Sequence, residues 1–176
     1  MKNIYFRNTI SANKSKSFIK TKSKKGLLFI FSILAFLFIA YAASAQIQDP
    51  VDWSYSVKKV SADTYTFTAT ANIEGDWHIY SQTTGKGGPV PTKINFNKNP
   101  LVTVVGATKE IGKVKQVYDA LFKTNVRFIG ETATYTQIVK VRGGVKTNIS
   151  GSVEYMVCDD RQCLPPSKKT FDLKLQ

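Results

Sequence analysis

The sequence predicts an all-β fold, an immunoglobulin-like antiparallel β-sandwich, on three observations. Short runs alternate apolar and polar residues at period two, most cleanly from Thr64 to Ile73. Turn residues (Gly, Pro, Asn, Asp) recur between these runs, and no segment carries a capped amphipathic helix. The 176 residues, less a leader, suffice for one domain with one sizeable core, and no internal repeat divides them.

The amino-terminal leader dominates the charge balance of the chain. Met1 to Lys25 holds eight Lys or Arg and no acid, then Gly26 to Tyr41 is apolar, and Ala43-Ser44-Ala45 is a small-x-small cleavage site. Residues 1–45 are therefore expected to be a signal peptide cleaved after Ala45, leaving residues 46–176 as the domain. An uncleaved anchor is the alternative, for which the apolar run is slightly short. No cysteine follows that run, so a lipoprotein is not indicated. The formal charge of +13 belongs mostly to the leader, since beyond Lys25 there are 17 basic against 12 acidic residues. Without a basic stripe interleaved with aromatics, no nucleic acid is expected as a partner. No other run is long enough to span a membrane, so the mature chain is expected in an oxidising compartment where cysteines can pair.

In chain order, Trp53, Tyr55 and Val57 alternate with polar residues as a first strand, and Ser61-Ala62-Asp63 turns the chain. In Thr64 to Ile73 the residues Tyr65, Phe67, Ala69, Ala71 and Ile73 share one face and must be buried. Glu74-Gly75-Asp76 leads into a short aromatic strand, Trp77 to Ser81, and Gln82 to Pro91 is a Gly- and Pro-rich loop. Lys93 to Phe96 and Leu101 to Val105 read as short strands. Lys109 to Thr124 fits neither period and reads as a loop with a brief strand. Asn125 to Ile129, Thr132 to Val141 and Lys146 to Val157 supply further strands, punctuated by Gly130, Gly143-Gly144 and Gly151. Phe171, Leu173 and Leu175 mark the last strand.

The candidate site is Cys158-Asp159-Asp160-Arg161-Gln162-Cys163-Leu164-Pro165-Pro166, which holds both cysteines. If its flanking strands pair as a hairpin, the cysteines lie opposite each other at about 4.5 to 5.5 Å between Cα atoms, a spacing that suits a disulfide. Pro165 and Pro166 donate no ladder hydrogen bond, so pairing is expected to fail just after Cys163, leaving the sulfurs near a reachable edge. A purely structural disulfide is the competing reading. Against it stand the short loop, whose closure contributes little chain entropy, and the accessible position beside the prolines. Asp159 and Asp160 disfavour a thiolate while Arg161 favours one, so no strongly activated nucleophile is expected.

Other motifs carry less. A zinc site from Cys158, Cys163, His78 and an aspartate lacks the usual spacing, so no metal is expected, and His78 reads as an aromatic-strand side chain. Gly85-Lys86-Gly87-Gly88-Pro89 lacks the Lys-Ser/Thr of a phosphate loop, so no nucleotide or other cofactor is implied. Asn148-Ile149-Ser150 is a glycosylation sequon of a kind common by chance, and no serine, histidine and acid set nominates a hydrolase.

Gly75 to Ser81, Val153 to Cys158, Cys163-Leu164-Pro165-Pro166 and the closing Lys169 to Leu175 strand resemble the amino-terminal periplasmic domain of the thiol:disulfide interchange protein DsbD, also known as a disulfide bond corrector domain. The resemblance covers nearly all of the mature chain. It implies an immunoglobulin-like sandwich acting as a thiol-disulfide oxidoreductase. Electrons from a thioredoxin-like donor would pass to periplasmic disulfide isomerases or to thiol proteins of cytochrome c maturation. It also implies that Cys163 forms the mixed disulfide and Cys158 resolves it. A cap loop shields the pair in the family, and by chain order its place falls near Lys109 to Lys115, where this sequence has no aromatic residue. The familiar member has one more residue between its cysteines and continues into membrane and thioredoxin-like domains, so a stand-alone version is expected to find its reductant in another polypeptide. The alternative is an exported binding module with a structural disulfide, contacting partners through the aromatic strand or the Gly85 to Pro91 loop.

Overall fold

A computed structural model of the chain describes residues 31–32 and 48–176. The expected signal peptide and its cleavage site fall almost wholly outside these residues. Among the described residues no helix is long and apolar enough to cross a membrane.

Gln48–Gln176 form one unit built of eleven strands: β1 (Val51–Lys59), β2 (Thr64–Ile73), β3 (His78–Tyr80), β4 (Lys93–Phe96), β5 (Val102–Ile111), β6 (Val114–Asp119), β7 (Thr124–Gly130), β8 (Thr132–Val141), β9 (Thr147–Tyr155), β10 (Val157–Cys158) and β11 (Ser167–Leu175). One layer is β1-β2-β8-β5. The other combines β11-β9-β4 with β10-β3-β7-β6. All pairings are antiparallel, as an immunoglobulin-like sandwich requires. β3 and β4 run one after the other alongside β10 and β9, because Ile79 pairs with Val157 and Ile94 with Val153. The Gly- and Pro-rich loop is thus an excursion from one interrupted strand, closed where Thr92 N donates to Tyr80 O at 3.0 Å.

The core follows the alternation. Tyr65, Phe67, Ala69, Ala71 and Ile73 of β2 are buried, and so are Ala133, Tyr135, Val139 and Val141 of β8. Large residues sit across from small ones: Trp53 opposite Ala71, and both Tyr55 and Tyr135 opposite Ala69. Phe67 lies 4.7 Å from Phe171 and 5.2 Å edge-on from Phe96, ring centre to ring centre, tying the two layers together.

Two expectations need correction. Lys109 to Thr124 is not mainly loop: Lys109, Glu110 and Ile111 end β5 and Val114–Asp119 is β6. β5 is an exposed edge strand whose register shifts between Val105 and Lys109, where Gly106 adopts φ +73°. Such a bulge changes which face each side chain takes. Buried Gln137 secures it, donating to Val105 O at 2.8 Å and accepting from Thr108 Oγ1 at 2.8 Å. The second correction is Gly151, which lies within β9 and punctuates nothing.

Candidate functional site

The two cysteines face each other as an isolated antiparallel bridge and are joined by a disulfide, with Cα atoms 4.1 Å apart. Leu164 N donates to Val157 O and Asp159 N to Gln162 O, each at 2.9 Å. These bonds flank the cysteines, which are therefore the closer, non-hydrogen-bonded kind of antiparallel pair, and their spacing falls just below the expected range. Pairing resumes only at Ser167 with Tyr155. Between the two pairs, Met156 and Val157 oppose Leu164, Pro165 and Pro166, a bulge in which neither proline can donate. Leu164 makes the last bond of the hairpin, one residue beyond Cys163.

Asp159 builds the turn. Its Oδ1 accepts from Arg161 N at 2.8 Å and Gln162 N at 2.7 Å, and these backbone donors hold its carboxyl below the usual carboxylate range. Asp160, Arg161, Pro165 and Pro166 are exposed around it. Asp159→Ala is expected to speed hydrogen exchange at the Arg161 and Gln162 amides while leaving exchange in β2 and β8 unchanged. Unaltered exchange at those two amides would show that the turn holds without the carboxylate.

Alternation along the strands places the disulfide on the outer face of its sheet. Val157, Ile79 and Ile129 point into the main core. Cys158, Tyr80 and Val126 form a satellite cluster instead, with Phe122, Phe128, Met156 and Cys163 packed against it. Cys158 is 1% exposed, whereas Cys163 is only partly buried. A groove of about 900 Å³ opens beside the bond, and His78, Tyr118 and Leu121 line it together with both cysteines.

The cover over the cysteines differs from the expected one. Lys113 and Lys115 line the groove, but aromatic cover comes from elsewhere: Phe122, from the β6–β7 turn and 6.3 Å from Tyr80 between ring centres, packs against the Cys158 cluster together with Phe128. Asp119 holds that turn by accepting from Leu121 N at 2.8 Å and Phe122 N at 3.2 Å. An apolar residue in a turn has no period to reveal it, so only the fold exposes this role. His78 is, as read, an aromatic-strand residue, with ring centres 4.3 Å from Phe128 and 5.5 Å from Tyr80. It is also the direct cross-strand partner of Cys158, a neighbourhood that a separation of 80 positions hides in the sequence. Burial pushes its pKa below the ordinary value, against the opposing pull of Asp160, the Asp76 backbone, Asp119 and Asp159. Among the described residues no group of three or more His, Cys, Asp or Glu side chains is arranged to hold a metal ion.

The fold and site define an immunoglobulin-like sandwich that carries one disulfide across a tight hairpin, on the outer face of a sheet and beside an open groove. The family described as Thiol:disulfide interchange protein DsbD, N-terminal, matches residues 45–175, and the chain belongs to it. Among solved structures, the N-terminal periplasmic domain of ScsB from Proteus mirabilis is 16% identical with a TM-score of 0.54; the alignment covers 72% of this chain and 47% of that one. The chain thus spans about half the length of that structure. The Neisseria meningitidis DsbD N-terminal domain in its reduced form is 15% identical with a TM-score of 0.49, covering 72% of this chain and 89% of that one. At 16% identity the ScsB domain speaks for the fold alone. No curated protein matches the chain.

Proposed function

We propose that residues 46–176, exported to the periplasm and freed of their leader, relay electrons through the Cys158–Cys163 pair. The donor is a thioredoxin-like protein, and the acceptors are periplasmic disulfide isomerases or thiol proteins of cytochrome c maturation. The observation that carries this reading is the asymmetry of the pair at the groove: Cys163 is partly exposed while Cys158 is buried in a cluster with Tyr80 and Val126. A donor thiolate attacks Cys163 Sγ, the intramolecular S–S bond breaks, and its electron pair leaves on Cys158 Sγ. The donor's second thiol then attacks its own sulfur in the mixed disulfide, releasing the domain as a dithiol and the donor as a disulfide. Two electrons pass, and the reverse exchange hands them to an acceptor disulfide.

Burial of Cys158 also favours a second reading, a binding module in which the bond is structural. The equilibrium redox potential of the pair, titrated against glutathione or dithiothreitol with thiol trapping, separates the two. A potential above about −300 mV, with the fold kept on reduction, is expected for a cycling relay. A lower potential accompanied by unfolding would leave the binding module.

A further inference from the structure

Cys158 pairs with His78, and His78 in turn pairs with Gly130 on β7. The bonds flanking Cys158 and Cys163 turn the backbone N–H and C=O of Cys158 toward β3, so Cys158 and His78 are a hydrogen-bonded antiparallel pair. Their side chains stand on one face with Cβ atoms about 5 Å apart. The row across the sheet is therefore Cys163, Cys158, His78 and then a residue without a side chain. Gly130 leaves the far flank of the imidazole open to the groove, while Phe128 fixes the ring from the next row.

Breaking the disulfide at Cys163 leaves negative charge on Cys158 Sγ, in a buried position and beside Asp159 and Asp160. Such a thiolate is disfavoured both by desolvation and by like charge. A proton must reach that sulfur as the bond opens and must leave it before Cys158 can attack in the return step. His78 is the chain's only histidine, hence the only side chain of the groove whose unperturbed titration falls between pH 5 and 8.

We propose that His78 is the acid-base residue of the exchange, giving a proton to Cys158 Sγ when the disulfide opens and taking it back when Cys158 resolves a mixed disulfide on Cys163. The inference rests on the exchange reading above and deepens it. In the opening step the donor thiolate bonds to Cys163 Sγ, the S–S electron pair moves to Cys158 Sγ, and the imidazolium proton follows it, directly or through one groove water. In the resolving step the neutral imidazole removes the Cys158 proton, the thiolate attacks Cys163 Sγ, and the acceptor's sulfur departs with the electron pair. The imidazole exchanges its proton with water in the groove.

The charges that face His78 are of both signs. Asp159, Asp160 and Arg161 come from the cysteine hairpin, and Asp119, Lys113 and Lys115 from β6 and the residue before it. Asp76 and Glu131 come from the turns on either side. Burial makes the neutral base the favoured form at neutral pH, and the carboxylates of Asp160, Asp119 and Asp159 keep the cation within reach.

The test is the rate at which the reduced protein reforms its disulfide with glutathione disulfide, followed by mass from pH 5 to 8 in wild type, His78→Gln and His78→Tyr. The wild-type rate should fall on the acid side through an inflection below pH 6.5 that both variants lack. At pH 7 both variants should be slower by about tenfold or more, and added imidazole should restore part of the rate. His78→Tyr keeps an aromatic ring on Phe128, so it reads the chemistry if His78→Gln fails to fold. Identical profiles and rates in wild type and in a folded variant would overturn the assignment. A wild-type pair inert to glutathione disulfide and to dithiothreitol alike would remove the exchange reading and this inference with it.

Discussion

Cys158→Ser is expected to accumulate a mixed disulfide with a thiol-disulfide partner or with glutathione, and Cys163→Ser to accumulate essentially none on the same timescale. The reason is the unequal cover over the two sulfurs. Cys158 is 1% exposed, enclosed by Tyr80 and Val126 with Phe122, Phe128 and Met156 around them. Cys163 sits on the outer arm of the hairpin, next to the two exposed prolines, and is only partly buried. Thiol exchange needs a near in-line approach to a sulfur, so access weighs as heavily as thiolate fraction. The difference should reach about tenfold or more in alkylation rate by a small thiol reagent, and larger against a protein partner. Either substitution opens the disulfide and so removes the constraint of a short loop, worth about 2 kcal/mol, which leaves most of a domain's stability in place. Intact-mass measurement under non-reducing conditions reads the adducts. Equal adduct formation by both variants would show that the Phe122 turn gives no protection in solution, and would take away the assignment of Cys163 as the attacked sulfur.

What the sequence made legible is set by which side chains have one buried face. β2 and β8 each bury alternate residues, so period two is written plainly into Thr64 to Ile73 and Thr132 to Val141. β5 and β6 bury almost nothing, and the bulge at Gly106 interrupts whatever alternation β5 has. Without a face to protect from water, no hydrophobic period is required there, and the stretch from Lys109 reads as loop. The site divides in the same way. Opposed cysteines, an Asp-built turn and prolines that end the pairing are local features, visible within nine residues. The burial of Cys158 with Tyr80 and Val126 and its pairing with His78 arise from β10 meeting β3, and β3 meeting β7, contacts that only the assembled sheet creates.

Gly151→Ala is expected to be the most damaging single-methyl change in the domain, and the reason is space rather than backbone conformation. Gly151 is not among the residues with positive φ. It lies in the middle of β9, paired with Phe96 on one side and Phe171 on the other. A Cβ at this position would stand 2.1 Å from Asn95 O and 2.6 Å from the Phe171 ring carbon Cζ. The carbonyl belongs to β4, whose pairing with β9 is anchored by Asn97 N donating to Ser150 O at 2.9 Å, so it cannot retreat without opening that ladder. The ring cannot retreat either, because Phe67, Tyr55 and Phe96 lie 4.7, 5.3 and 5.7 Å from it between ring centres. Overpacking of a core typically costs 1–3 kcal/mol; with backbone on one side and a closed aromatic cluster on the other, about 3 kcal/mol or more is expected. Gly85→Ala is the control, since its Cβ would meet only Asn125 O at an ordinary 3.8 Å and should change stability by less than about 0.5 kcal/mol. Urea unfolding midpoints at unchanged slope measure both. A Gly151→Ala loss below about 1 kcal/mol would mean that β4 shifts freely against β9. Because β4 and β3 are successive parts of one strand line beside β9 and β10, such freedom would also undermine the rigid seating of His78 next to Cys158.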